Sequence, residues 1–387
     1  MDLSGQARGV AAKGTEKVNR MAKVPQQSPW LGEAEKAAVC RAFDSNWITE
    51  GPVAAEFSRR LRELMGAEYG VFAPNGTLAL ALGLMALGIG AGDEVIVPDT
   101  TFIASATAVL IAGARPVFVD VNSRNFQINV ETCIRAVTTR TRAIMPVHLY
   151  GMACNMKAVL DFAESYDLAV IEDACEAINV RYRGQHTGTF GDVGCFSFFA
   201  DKTITTAEGG WVICKDGDTY DRLRYLRNQG RIERGTFIHP QIGYNFRLTD
   251  IQAAIGLAQL DRLDEIVARK LERLAWYHDE LDRVEGIRFL EVEPGSTYVP
   301  FRVVLLCQDA QELEDYLCQH YIEPRRVFYP LHRQPCFQHL NPGGDVQYPN
   351  AVYGYEHGIC LPVFPTLTQE QVAYICSTIK EFRGHRD

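Results

Sequence analysis

Phe196-Ser197-Phe198-Phe199-Ala200-Asp201-Lys202, continuing as Thr203-Ile204-Thr205-Thr206-Ala207-Glu208-Gly209-Gly210, sets a lysine in a polar loop between two apolar runs, Val193 to Phe199 and Gly210 to Cys214. Short apolar runs bounded by glycine and hydroxylated residues read as buried strands. A lysine at such an address has two readings. It is a surface lysine in a turn, or it lies in a pocket where it loses its proton and forms a Schiff base.

Upstream, apolar strands alternate with helical patterns. The strands are Tyr69 to Ala73, Glu94 to Pro98, Pro116 to Val121, Ala143 to Val147 and Leu168 to Glu172. Helices fall at Leu78 to Leu87, Ile103 to Ile111, Val130 to Val137 and Met156 to Tyr166; before them Phe57, Leu61 and Leu64 share a face that stops at Gly66. Nearly all-apolar strands between amphipathic helices predict an α/β domain with a mostly parallel sheet covered by helices. Downstream, Tyr220 to Arg227 is helical, and Thr249-Asp250 N-caps a long helix to about Leu281, interrupted only by Gly256. Next come a strand (Val299 to Leu306), a helix (Ala310 to His320), a strand (Pro324 to Tyr329) and a final helix (Gln369 to Phe382). The division expected is a flexible N-terminal arm over 1–28, a large domain over 29–255 and a smaller C-terminal α+β domain over 256–387.

The 387 residues carry 39 Lys+Arg against 48 Asp+Glu, a net charge of −9 with no basic stripe, which argues against nucleic-acid binding through phosphate neutralisation. No apolar run approaches the roughly 20 residues needed to span a bilayer, and Met1 to Lys23 lacks the apolar centre of a secretion signal. The eleven cysteines are scattered, with no CxxC and no completing histidine pair, so no metal site is expected. They read as reduced core thiols of a cytoplasmic protein.

GxGxxG, GxxxxGK[ST] and GxSxG are all absent. Two other places join the lysine. Asn75-Gly76-Thr77, where a strand meets a helix, is either an anion site at a helix N-terminus or a plain turn. Asp173, in Ile171-Glu172-Asp173-Ala174-Cys175-Glu176, comes after an apolar strand, where open parallel sheets place their ligands. It pairs with a cationic ring nitrogen, or it caps the next segment of chain. A phosphate cradle, an acid for a pyridinium nitrogen and a Schiff-base lysine are together the parts of a pyridoxal 5′-phosphate site.

Their order resembles the DegT/DnrJ/EryC1/StrS family of fold-type I nucleotide-sugar aminotransferases, from about Pro29 to Phe382. Trp47-Ile48-Thr49-Glu50-Gly51-Pro52, Gly92-Asp93-Glu94-Val95-Ile96-Val97-Pro98, Val147-His148-Leu149-Tyr150-Gly151 and Gly243-Tyr244-Asn245-Phe246-Arg247-Leu248-Thr249-Asp250 carry the match. The resemblance implies a catalytic Lys202 bound to the cofactor and an Asp173 that keeps the ring nitrogen protonated. It implies Phe102 stacked on the ring, Gly76, Thr77 and Ser197 on the phosphate, and Glu176 near the ring hydroxyl. Asn245 would reach the phosphate of a second subunit, making a homodimer with shared sites. Glu176 and the stretch Arg325-Arg326-Val327-Phe328-Tyr329-Pro330-Leu331-His332 look like the members acting on GDP-4-keto-6-deoxymannose, with Arg325, Tyr329 and His332 as substrate contacts. The implied reaction moves an amino group from glutamate to C4, giving GDP-perosamine.

The alternatives are an aminotransferase on a UDP- or dTDP-linked 3- or 4-keto sugar, a dehydratase using the same cofactor, and a sensor that only binds it. In the dehydratases histidine replaces the lysine, so Lys202 argues against that reading. His148 is expected to be a satisfied strand-end histidine. Two positions depart from the family pattern: Asp201 stands where many relatives have Asn, and Ala207 where the usual residue is Gly. A charge at Asp201 close to Lys202 would favour its protonated form.

Overall fold

The structure, a computed structural model, describes residues 23–231, 237–340 and 343–384. Strands β1 (Tyr69–Ala73), β2 (Glu94–Pro98), β3 (Arg115–Val119), β4 (Thr141–Ile144) and β5 (Ala169–Asp173) precede a small hairpin, β6 (Arg181–Tyr182) and β7 (Gln185–His186). Strands β8 (Val193–Ser197) and β9 (Gly210–Cys214) complete one seven-stranded sheet in the order β1-β9-β8-β5-β4-β2-β3. Only β9 runs against the rest, pairing antiparallel with β1 and β8, while the other neighbours are parallel. The mostly parallel sheet read from the sequence is thus present.

The helices of this half are α1 (Glu33–Asp44), α2 (Pro52–Met65), α3 (Gly76–Ala86), α4 (Ala104–Ile111), the single turn α5 (Val130–Cys133), α6 (Met156–Ser165), α7 (Gly217–Arg227) and α8 (Asp250–Asp261). One apolar cluster packs α3 and α4 on one face of the sheet, and a second packs α2, α6 and α8 on the other. Local chemistry sets the helix ends. Gly66, at φ 70°, closes α2, and Thr249 with Gln252 forms a capping box at the start of α8. Helix α1 escaped the periodicity reading because its buried face is mostly alanine: Ala38 and Ala42 lie against Ala254 and Ala258.

The long helix expected from Thr249 breaks at Arg262 rather than at Gly256. Arg262, at φ −111° and ψ 8°, ends α8 and opens α9 (Leu263–Leu281); its guanidinium lies 3.2 Å from Glu35 and over the Trp30 ring. Gly256 instead permits close packing, since a Cβ there would meet the Phe57 ring at 2.5 Å. The expected division at 255/256 falls inside α8, which contributes Ala253 and Leu260 to the large-sheet core.

The C-terminal half has an antiparallel sheet in the order β10-β11-β13-β12, from β10 (Arg288–Phe289), β11 (Val303–Leu306), β12 (Arg325–Arg326) and β13 (Gly358–Leu361). Helices α9, α10 (Ala310–Gln319) and α12 (Gln369–Gly384) cover it, and α11 (Pro349–His357) leads into β13. Strand β11 starts later than expected because Val299 and Phe301 donate their N–H groups to the carbonyls of Gly151 and Tyr150 instead of to the small sheet. Of the expected arm, residues 1–22 lie outside the described residues, and 23–28 pack against the C-terminal half. Val24 is fully buried, its N–H bonds Tyr321 O at 2.9 Å, and Gln26 Nε2 reaches Leu361 O.

Candidate active site

Because β1, β2, β4, β5 and β8 point the same way, their carboxyl ends share one edge of the sheet, where open α/β sheets bind ligands. A cavity of about 680 Å³ opens there, and Asn75, Gly76, Thr77, Phe102, Asp173, Glu176, Ser197 and Lys202 all line it. Residues from four strand ends thereby meet, although up to 127 positions separate them in the chain.

The N-terminus of α3 forms one end of the cavity. Asn75 caps it, its Oδ1 accepting from Leu78 N at 3.0 Å, and the first N–H groups of a helix otherwise have no intrahelical acceptor. Gly76 lies so close to the end of β8 that a Cβ would sit 2.8 Å from Ser197 Cβ and 2.9 Å from Cys175 Sγ. The cradle therefore offers backbone N–H groups and the Thr77 and Ser197 hydroxyls, a donor set suited to a phosphate.

Asp173 ends β5 with its backbone fixed on both sides: its N–H bonds Pro146 O, and its carbonyl accepts from His148 N. Oδ2 accepts from Ser105 Oγ at 2.7 Å, which is itself 2.9 Å from Thr101 Oγ1, and Oδ1 accepts from Cys175 N. These bonds fix the direction of the carboxylate at the cavity. The preceding Glu172 does structural work: wholly buried, it accepts from the N–H groups of Gly188, Phe190 and Gly191 and lies 2.8 Å from His148 Nε2. His148 Nδ1 accepts from Cys154 N, so this ring is satisfied, as expected.

Lys202 is mostly buried, its Nζ 3.9 Å from Glu176 Oε1 and 4.3 Å from the centroid of the Phe301 ring. Burial pushes the Glu176 carboxyl up, against Lys202 and the Tyr150 N–H that hold it down, leaving it above the usual range. Asp201 does not stand as a lone charge beside the lysine: Arg302 Nη2 meets it at 3.0 Å. Phe102, exposed into the cavity, lies 6.0 Å from Phe328, centroid to centroid. Arg302, Phe301 and the Ser105–Thr101 pair went unread in the sequence; only the departure at Asp201 drew attention to the charge beside the lysine.

Four expected residues lie elsewhere. Asn245 is exposed on a segment bridged to Asn228. Arg325 is exposed on β12, and Tyr329 packs edge-on against Tyr355. His332 is buried, with Nδ1 2.6 Å from Asp99, Nε2 3.0 Å from Asp345 and its face on Tyr348, so both ring nitrogens are engaged and it clamps its loop to the strand end. All eleven cysteines are free, and no metal-ligating cluster occurs among the described residues.

A hydroxyl and N–H cradle, a fixed carboxylate and a shielded lysine around one cavity suit a planar pyridine bearing a phosphate. The DegT/DnrJ/EryC1/StrS aminotransferase family model matches residues 29–380. The chain is 40% identical over 364 residues to the GDP-perosamine synthase of Escherichia coli O157:H7, covering 94% of this chain and 99% of that one. With the Vibrio cholerae enzyme of the same name it shares 36% over 93% and 99%. Among solved structures, DesV of S. venezuelae superposes with a TM-score of 0.88 at 31% identity, over 94% of this chain and 99% of that chain. The PLP form of the sugar aminotransferase Spr1654 from Streptococcus pneumoniae gives 0.88 at 27%, over the same shares. The chain belongs to the DegT/DnrJ/EryC1/StrS aminotransferase family.

Proposed function

We propose that this enzyme transfers an amino group from glutamate to C4 of GDP-4-keto-6-deoxymannose, yielding GDP-perosamine and 2-oxoglutarate. The observation that carries this reading is the near-full-length identity of 36–40% to relatives named GDP-perosamine synthase. When bound, pyridoxal phosphate supplies an electron sink for the pair left as the donor Cα loses its proton, and stores the amino group between half-reactions.

The chain's own residues do the rest. Gly76, Thr77 and Ser197 hold the phosphate, and Phe102 covers the ring. Asp173, oriented by Ser105 and Cys175 N–H, keeps a proton on the ring nitrogen. Lys202 anchors the cofactor, and once released its Nζ takes the proton from the donor Cα and later returns one to C4 of the sugar. Glu176, 3.9 Å away, holds that ammonium in place. Asn245, projecting from the surface, serves the phosphate of a second subunit in a homodimer, while Arg325 and Tyr329 face the nucleotide side. A cytoplasmic location accords with eleven free thiols, and no described helix is long and apolar enough to cross a membrane.

A second reading has an observation of its own: 39% identity over 322 residues to a UDP-N-acetyl-3-dehydro-α-D-glucosamine 3-aminotransferase of Acidithiobacillus ferrooxidans. Incubating the enzyme with glutamate and a panel of GDP-, UDP- and dTDP-linked keto sugars, with product masses compared, separates the two. The GDP-4-keto-6-deoxymannose product is expected to form fastest. Lys202→Ala should abolish turnover, and a variant that still aminates the keto sugar would refute the mechanism.

A further inference from the structure

Beside Lys202 the cavity wall carries an ion pair with no task in the steps above. Arg302 Nη2 donates to Asp201 Oδ2 at 3.0 Å, and the arginine side chain is only 14% exposed. A guanidinium has five N–H donors; those on Nη1 are buried and have no hydrogen-bond partner. Arg302 Cζ lies 4.6 Å and Lys202 Nζ 4.3 Å from the centroid of the same Phe301 ring, so the two cations share one aromatic neighbour. Among the described residues lining the cavity, Arg302 is the one cation besides Lys202, against the acids Asp173, Glu176, Asp201 and Glu208.

We propose that Arg302 binds the carboxylate on the reacting carbon of the amino donor, with Asp201 holding its guanidinium in place. The inference rests on the reading of an amino acid as donor. Its geometric argument is proximity. The α-carboxylate is attached to the carbon whose proton Lys202 moves, so it must lie beside that lysine. A nucleotide diphosphate, by contrast, is separated from C4 by the width of the hexose ring. An anion held next to Lys202 is therefore the donor's, and a planar fork already fixed on one side by Asp201 is preorganised for it. When the keto sugar, which has no carboxylate at C4, takes the donor's place, Asp201 keeps the arginine paired.

The test uses the holoenzyme and its Arg302→Gln variant in separate half-reactions. The KM for glutamate should rise about 10- to 100-fold, the loss expected for a charge-assisted hydrogen bond, and calorimetric affinity for 2-oxoglutarate should fall alike. The reverse half-reaction with the amino sugar nucleotide should change less than about twofold. Adding Asp201→Asn removes the half-buried carboxylate that the first substitution leaves unpaired. The proposal holds if the double variant keeps the raised glutamate KM. It is overturned if the double variant regains wild-type values, which would make Arg302 a mere counter-charge, or if Arg302→Gln leaves donor affinity intact. Wild-type enzyme that reacts with another amino acid and not with glutamate corrects the donor alone, and the same comparison is then made with that amino acid.

Discussion

Lys270 sits on α9 with its ammonium wholly buried, 3.4 Å from Thr203 Oγ1. Burial, and after it the charge of Arg302, pushes its pKa from 10.5 down to about 7. Between those values the unfolded chain holds a proton that the folded chain does not, so stability rises with pH across that window. Below it the cost of the buried charge is fully felt. Lys270→Met should therefore melt higher than the wild type at pH 6, and the gap should narrow as the pH approaches 10; a constant gap would show that charge is not the cause. Ala207 is a second single-residue case. It has φ 69°, a left-handed conformation that costs a Cβ-bearing residue roughly 1 kcal/mol. Ala207→Gly should gain about 1 kcal/mol or slightly less in denaturant unfolding, because glycine's extra backbone entropy offsets part of the relief.

Two elements hold the chemistry in register. At the end of β5, Glu172 gathers three backbone N–H groups of the loop entering β8 and the His148 ring. Glu172→Ala leaves those donors buried and unpaired, and at about 1–3 kcal/mol for each unsatisfied donor it should lower stability by several kcal/mol although the side chain does not line the cavity. At the start of α3, Gly76 lets the helix abut Ser197 and Cys175. Gly76→Val should raise the dissociation constant for pyridoxal phosphate at least tenfold, read by absorbance titration, with the far-ultraviolet circular dichroism unchanged. The apolar strands and the strand–turn–helix at Asn75 were legible in the sequence, because periodicity and capping are local. The roles of Glu172 and of Ser105 were not, since their partners lie 16 to 68 positions away.

For the whole molecule, the exposed Asn245 and the proposal of a shared site make a complementation experiment decisive. Lys202→Ala and Asn245→Ala homodimers should each be nearly inactive. Subunits of the two mixed, dissociated and reassociated should regain up to roughly a quarter of wild-type activity, because half of the statistical dimers are mixed and each has one intact site. No recovery on mixing would mean that each site is built from one chain. The docking of residues 23–28 against β13 and the segment after α10 was not readable either, for the segment offers Val24 and Pro25 as its only apolar residues and pairs with partners up to 335 positions away.

By itself the sequence determined the α/β alternation, the lysine, the carboxylate and the glycine at the strand ends, and with them the cofactor. Each depends on residue type and local spacing. Only the tertiary structure decided that Asp201 is neutralised by Arg302, that His332 is a clamp, and that Lys270 is buried behind the site. Those outcomes depend on charges and hydrogen bonds between segments distant in the chain, and a side chain's partner is fixed by how the sheets pack rather than by its neighbours in sequence.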